Sequence, residues 1–159
     1  MRKILIVVGT RPEAIKMAPV ILESATRFDV TVCATAQHRE LLDHVFEFFE
    51  IKPDYARHII KKGQDLFDVT SRVLTGMKKV LVDVNPDIVL VHGDTTTAFA
   101  ASVGSFYLKI PVAHVEAGLR THNIHTPFPE EFNRQVITRI TRIHFAPTQS
   151  ARQNLLNEN

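Results

Sequence analysis

The sequence predicts an α/β fold, a doubly wound parallel sheet of the Rossmann type. Short β-branched runs alternate with helical stretches along the whole chain, the first of these runs is apolar throughout rather than at every second residue, and three of the runs end in polar clusters. Continuous apolar strands suit a sheet buried on both faces. Polar clusters at carboxyl ends lie where open parallel sheets bind ligands.

"KILIVV" is the first strand. "PEAIKMAPVILESATRF" follows as a helix, with Ile15, Ala18, Ile21, Leu22 and Ala25 at helical spacing, and Pro19 predicts a kink or weakened turn near Lys16 and Met17. "DVTVCATA" is the second strand, and "RELLDHVFEFFE" is a helix with Leu41, Leu42, Val45, Phe48 and Phe49 on its inner face. "IKPDYARHIIKKGQD" reads as an irregular crossing punctuated by Pro53 and Gly63. A helix is predicted from about Leu66 to Val84, ending before Asn85-Pro86. "DIVLVHGD", "IPVAHVEAG" and "RIHFAPT" are three more strands, separated by the helices "TTAFAASVGSFYLK" and "EEFNRQVITRIT". The closing helix "TQSARQNLLNEN" has no strand after it, which reads as a cut within a longer protein. No repeat or linker interrupts the alternation, so one domain is expected.

At 159 residues and 45% hydrophobic, the chain can bury one core. Its 19 basic and 17 acidic residues leave +2 with no run of either sign, which gives no basis for bulk attraction to nucleic acid or membrane. The apolar runs are too short for a membrane span and "MRKILIVVGTRPE" lacks a cleavage signal, so a cytoplasmic protein is expected. The single cysteine, Cys33, lies in an apolar run and reads as a buried structural thiol.

The first strand breaks into "GTRPE", a capping box in which Thr10 caps the helix and Glu13 reaches back, with Pro12 tolerated in the first turn. Arg11 and Lys16 are not explained that way. Cations at a helix N-terminus oppose its dipole, so they point to a bound anion, and Gly9 lets backbone approach it. The strand of "DIVLVHGDTTTAFA" ends in His92, Gly93 and Asp94, and Asp94 is either a plain N-cap or a chemical group. Glu116 follows the strand of "VAHVEAGLRT", and a carboxylate there must be paired, protonated or functional, with Arg120 the obvious structural partner. His92 and His114 read as core histidines or as part of the site. Glu130 and Glu131 open a helix, where dipole alone accounts for one of them. No pair of these groups has the close spacing of a metal motif, and no P-loop or dinucleotide fingerprint follows the first strand. A cationic turn beside Asp94 and Glu116 implies an anionic substrate whose reacting part exchanges protons.

The stretches "GTRPEAIKMAP", "TAQHRELLD", "PDIVLVHGDTTTAFAAS", "HVEAGLRT" and "PFPEEFNRQ", in this order, resemble the non-hydrolysing UDP-N-acetylglucosamine 2-epimerases of bacteria. The resemblance spans essentially the whole chain. It implies the amino-terminal half of a two-domain GT-B fold, with residues 1–159 forming one Rossmann-like domain and the UDP-binding carboxy-terminal domain absent. It implies interconversion of UDP-N-acetylglucosamine and UDP-N-acetylmannosamine through loss and re-addition of UDP, with no cofactor and no metal. An isolated half would then be an incomplete enzyme. Asp94, Glu116 and Glu130 match the family's acid/base carboxylates, while Arg11 and Lys16 match its cations near the diphosphate. Gln37, His38 and Gln64 match parts of a second, activating UDP-N-acetylglucosamine site, although Glu40 stands where the family often has glutamine. The resemblance also implies a homodimer and a place in cell-surface polysaccharide synthesis. The rival readings are a UDP-sugar glycosyltransferase of the same fold, a hydrolysing epimerase, and a half-domain that only binds a ligand or partner.

Overall fold

A computed structural model describes residues 1–35, 39–56 and 63–158, with backbone alone for 39–41. The elements in chain order are β1 (Lys3–Val8), α1 (Arg11–Ala25), β2 (Asp29–Ala34), α2 (Arg39–Phe48), β3 (Tyr55–Ala56), α3 (Leu66–Val84), β4 (Ile88–His92), α4 (Thr96–Tyr107), β5 (Val112–Val115), α5 (Glu130–Ile140), β6 (Thr141–Phe145) and α6 (Gln149–Asn157). The strands form one all-parallel sheet in the order β3-β2-β1-β4-β5-β6. The order reverses between β1 and β4, and the crevice at such a reversal is where doubly wound sheets hold ligands.

Alternation within β1 explains the two core layers. Ile4, Ile6 and Val8 face α1 and α2, together with Ala14, Met17, Ile21 and Leu42. Leu5 and Val7 face the opposite way, into Val73, Met77 and Leu81 of α3, Ala98 and Ala101 of α4, and Ile137 of α5. Cys33 belongs to this second layer, fully buried with its Sγ 4.0 Å from the Met77 Sδ.

The structure corrects several expectations. The crossing before α3 contains the short strand β3, which pairs Tyr55 and Ala56 with Cys33 and Ala34. Two residues are too few to show a strand period, so sequence pattern misses it. On α1 the stripe against the sheet is Ala14, Met17, Ala18 and Ile21, whereas Ile15 and Leu22 are 44% and 45% exposed. Two alanines in that stripe let the helix lie close to the sheet and leave the larger residues at its flanks. On α2, Phe46 is buried with Leu42 and Val45, while Phe48 is 81% exposed; the side chain of Leu41 lies outside the described residues. Pro19 sits within α1 on its exposed side, where a lost helical hydrogen bond costs least.

Residues of α1 and α2 cover one face of the sheet only over its first strands. On the other half of that face Ile88, Leu90, Val115, Ile143 and Phe145 line an open apolar groove with Val20 and Phe28. Among the described residues no helix is long and apolar enough to cross a membrane.

Candidate functional site

The turns after β1, β4 and β5 meet at the carboxyl edge of the sheet. After β1 the capping box forms: Thr10 Oγ1 accepts the Glu13 N–H at 3.5 Å, and Glu13 Oε2 accepts the N–H groups of Gly9 and Thr10 at 2.9 and 2.5 Å. The other oxygen of Glu13 accepts the Thr95 hydroxyl at 2.7 Å, tying this turn to the one after β4. Burial pushes the Glu13 carboxyl up against the pull of these bonds, which tie two backbone N–H groups and the Thr95 hydroxyl into the two turns. Gly9 has a packing reason of its own, because a Cβ there would lie 2.6 Å from the Thr97 Oγ1.

β5 delivers Glu116. Its φ is +65°, a left-handed conformation that a glutamate adopts only under constraint, at a cost of order 1–3 kcal/mol. The carboxylate is 27% exposed, and its Oε2 meets Lys16 Nζ at 2.5 Å and His92 Nε2 at 3.3 Å. Burial works to raise this carboxyl, but the Lys16 hydrogen bond and the adjacent charges outweigh it, leaving Glu116 below the usual carboxylate range. Arg120 is not its partner. The Arg120 guanidinium instead holds Glu158 through Nε at 2.7 Å and Nη2 at 2.9 Å and bonds the Thr138 hydroxyl at 2.8 Å. The fork of its guanidinium matches the carboxylate of Glu158, just after α6, two-on-two, a geometry that the short sequence separation from Glu116 cannot show.

β4 delivers His92 and Asp94. The N-cap of α4 is Thr95, whose Oγ1 accepts the Ala98 N–H at 3.1 Å, so Asp94 is not spent on capping. Its Oδ2 lies 3.3 Å from Arg134 Nη2, and its backbone carbonyl accepts from Asn133 Nδ2 at 2.8 Å. Burial raises the Asp94 carboxyl, Arg134 pulls it down, and the charges of Glu130 and Glu116 push it up again, with the net shift upward. His92 is nearly fully buried and its pKa is lowered, chiefly by burial. Beneath it His114, also buried, bonds the Gly93 carbonyl at 2.6 Å and is pushed down to about 4, chiefly by burial.

At the start of α5 the two glutamates separate. Glu130 is half-buried, and its charge is felt at Asp94. Glu131 is fully buried and accepts the N–H groups of Thr121 and His122 at 3.1 and 3.2 Å and the Gln135 amide at 2.9 Å, with Arg134 Nε at 3.3 Å. Of the pair, Glu131 is the one that structure accounts for.

The structure thus brings Asp94 and Glu116 together with Lys16, and sets Glu130 within electrostatic reach of Asp94. Arg11 is exposed at the first turn of α1 and lines a cleft toward α2 with Ile15, His44 and Phe48. Gly9 and Gln64 share a cleft of about 470 Å³ with Thr10, Asp65 and Thr95–Thr97. Gln37 and His38 lie outside the described residues. Among the described residues no cluster of three or more His, Cys, Asp or Glu side chains is placed to hold a metal ion. Arg134 and Asn133, which contact Asp94 through its Oδ2 and its backbone carbonyl, are not among the residues singled out from the sequence, although both stand in the "PFPEEFNRQ" stretch, on the same helix as Glu130. Asp94 and Glu116 are neighbouring carboxyls pushed in opposite directions, Asp94 up and Glu116 down.

Comparison with known proteins gives one consistent answer. The family described as UDP-N-acetylglucosamine 2-epimerase matches residues 20–159. The chain is 55% identical over 159 residues to the UDP-N-acetylglucosamine 2-epimerase of Salmonella typhimurium and 56% identical to that of Campylobacter jejuni, covering 99% of this chain and 42% of each relative. A crystal structure of the Neisseria meningitidis UDP-GlcNAc 2-epimerase bound to UDP-GlcNAc superposes with a TM-score of 0.95 at 55% identity, covering 98% of this chain and 43% of that one. An Acinetobacter baumannii MurG shares the fold at a TM-score of 0.68 and 11% identity. The chain therefore spans less than half the length of the relatives it matches.

Proposed function

The chain belongs to the UDP-N-acetylglucosamine 2-epimerase family, and from that premise we propose that it supplies the acid/base half of an enzyme interconverting UDP-N-acetylglucosamine and UDP-N-acetylmannosamine. The observation that carries the reading is the contact of Lys16 with Glu116 beside Asp94, a cation and two oppositely shifted carboxyls at one strand edge.

The C2 proton of the sugar is not next to a carbonyl, so abstraction alone is unfavourable. In the proposed route the C1–O bond to UDP breaks as a carboxylate takes the C2 proton, leaving a 2-acetamidoglucal and UDP. Protonation of C2 from the opposite face and return of UDP to C1 give the epimer. Asp94, Glu116 and Glu130 are the candidate acid/base groups, with Asp94 and Glu116 nearest C2. Lys16 and Arg11 would take charge on the departing diphosphate, with Gly9 giving close backbone approach.

Residues 1–159 form one Rossmann-like domain in this reading, and the UDP-binding domain lies in the remainder of the full-length enzyme. A homodimer, a cytoplasmic location and an activating second UDP-N-acetylglucosamine near Gln64, Gln37 and His38 complete the proposal. Product analysis tests it: the full-length enzyme should convert UDP-N-acetylglucosamine to a mixture of both UDP-sugars. Free N-acetylmannosamine would instead indicate a hydrolysing enzyme, and transfer of the sugar to an acceptor a glycosyltransferase.

A further inference from the structure

Glu116 has two partners on one oxygen, and they differ in kind. Lys16 reaches Oε2 from α1 on a side chain that is 51% exposed, while His92 reaches it from β4 on a side chain that is 5% exposed. An exposed lysine can be drawn away by a diphosphate; a ring packed at the end of a central strand stays. Among the described residues Oε1 of Glu116 has no hydrogen-bond partner, so this oxygen is the one open to a substrate proton. The His92 Nδ1 is buried and, among the described residues, also without a partner, which leaves the 3.3 Å contact of Nε2 with Glu116 Oε2 as the polar contact of the ring.

We infer that His92 is a positioning residue for Glu116: its Nε2–H holds Oε2 of the carboxylate and directs proton exchange to Oε1. The inference rests on the acid/base role proposed for Glu116. One tautomer serves both halves of the proton cycle. With Glu116 ionised, Nε2–H donates to Oε2; when Oε1 has taken the proton, Oε2 still accepts the same bond and no proton leaves the ring. An ammonium on the same oxygen would instead hold Glu116 ionised and weaken it as a base. Neutrality of the ring is therefore part of the device, and burial supplies it. The charged groups acting on His92 are Lys16 from α1, Asp94 from the turn after β4 and Glu116 after β5. Diphosphate binding that draws Lys16 off would leave Glu116 held by His92 alone and more basic, at the moment when the leaving group is in place.

The test is made in the full-length epimerase carrying this segment. His92→Leu should lower kcat by tenfold or more, a fraction of the roughly 10²–10⁴ a general base supplies, with KM changed less than threefold. Loss of the donor should also move the acid limb of the kcat/KM profile to higher pH, because the bond to His92 holds the Glu116 carboxyl down. His92→Gln, which keeps an N–H donor, should recover most of the rate. If His92→Leu does not fold, ¹⁵N spectra of the wild-type imidazoles carry the test alone, with His92 expected neutral and protonated on Nε2 across the working pH range. A wild-type ring protonated on Nδ1 or on both nitrogens would overturn the inference, as would a folded His92→Leu with unchanged kcat and acid limb. Wild-type enzyme that never exchanges the C2 proton would sink the proposed function itself.

Discussion

Glu116 and Glu131 are both glutamates beside a basic side chain, and both are held below the ordinary carboxylate range against the opposing effect of burial. Their surroundings differ. Glu131 is sealed from solvent and accepts two backbone N–H groups, an amide and a guanidinium, which pins the 121–122 turn to α5. Glu116 sits on left-handed backbone, shares one oxygen between a lysine and a histidine, and among the described residues has no partner on the other. A carboxylate whose bonding capacity is filled by its own backbone belongs to the scaffold. One that is partly unfilled, strained and exchangeably paired is available for chemistry. By the same measure Glu13 is scaffold, and Asp94, released from capping by Thr95, is not.

Substitutions at the two glutamates should break the comparison in opposite directions. Glu116→Gln in the full-length enzyme should lower turnover at least about a hundredfold while thermal stability and UDP-sugar binding stay near wild type; turnover close to wild type would return Glu116 to the scaffold. Glu131→Ala should destabilise the fold by roughly 1–3 kcal/mol in denaturant titrations, because the Thr121 and His122 N–H groups lose their acceptor and Arg134, which keeps Asp94, loses a buried partner. A loss under 1 kcal/mol would show that the clamp is not structural.

His114 sharpens the scaffold side through pH. Its folded pKa, about 4, lies below the ordinary 6.5, so the folded state binds fewer protons. The resulting stability is full above pH 6.5 and declines as pH falls toward 4, by about 3 kcal/mol for a shift of this size. Denaturation curves at successive pH values should show that decline, and His114→Asn should flatten it; an equal slope in both proteins would contradict the account. The smallest effect is expected at Arg11, which is exposed and has a place in the cleft between α1 and α2. Arg11→Ala should weaken UDP binding by about tenfold, or 1.4 kcal/mol, with thermal stability unchanged, whereas lost stability with unchanged affinity would make Arg11 structural.

How much of this was legible in the sequence depended on the range of the interaction. The capping box at Thr10 and Glu13 and the α3 helix from Leu66 to Val84 were readable, because spacing within a few residues decides them. The two-residue β3 was not, since it exists only through pairing with β2. The position of Asp94, Glu116 and Glu130 at strand and helix ends was readable from where apolar runs stop. Their partners were not: Lys16 and Glu116 are 100 residues apart in sequence, and Arg120 pairs with Glu158 rather than with its near neighbour. Adjacent Glu130 and Glu131 look alike as letters, and only the turn folded onto Glu131 tells them apart.

The central claim is that the Lys16, Glu116 and Asp94 edge exchanges a carbon-bound proton. NMR of UDP-N-acetylglucosamine incubated in D2O with the full-length enzyme tests it directly. The account predicts deuterium at C2 in both the gluco and manno products. Bound sugar nucleotide that keeps its C2 proton would contradict it and move the search to an acceptor for a transferred sugar.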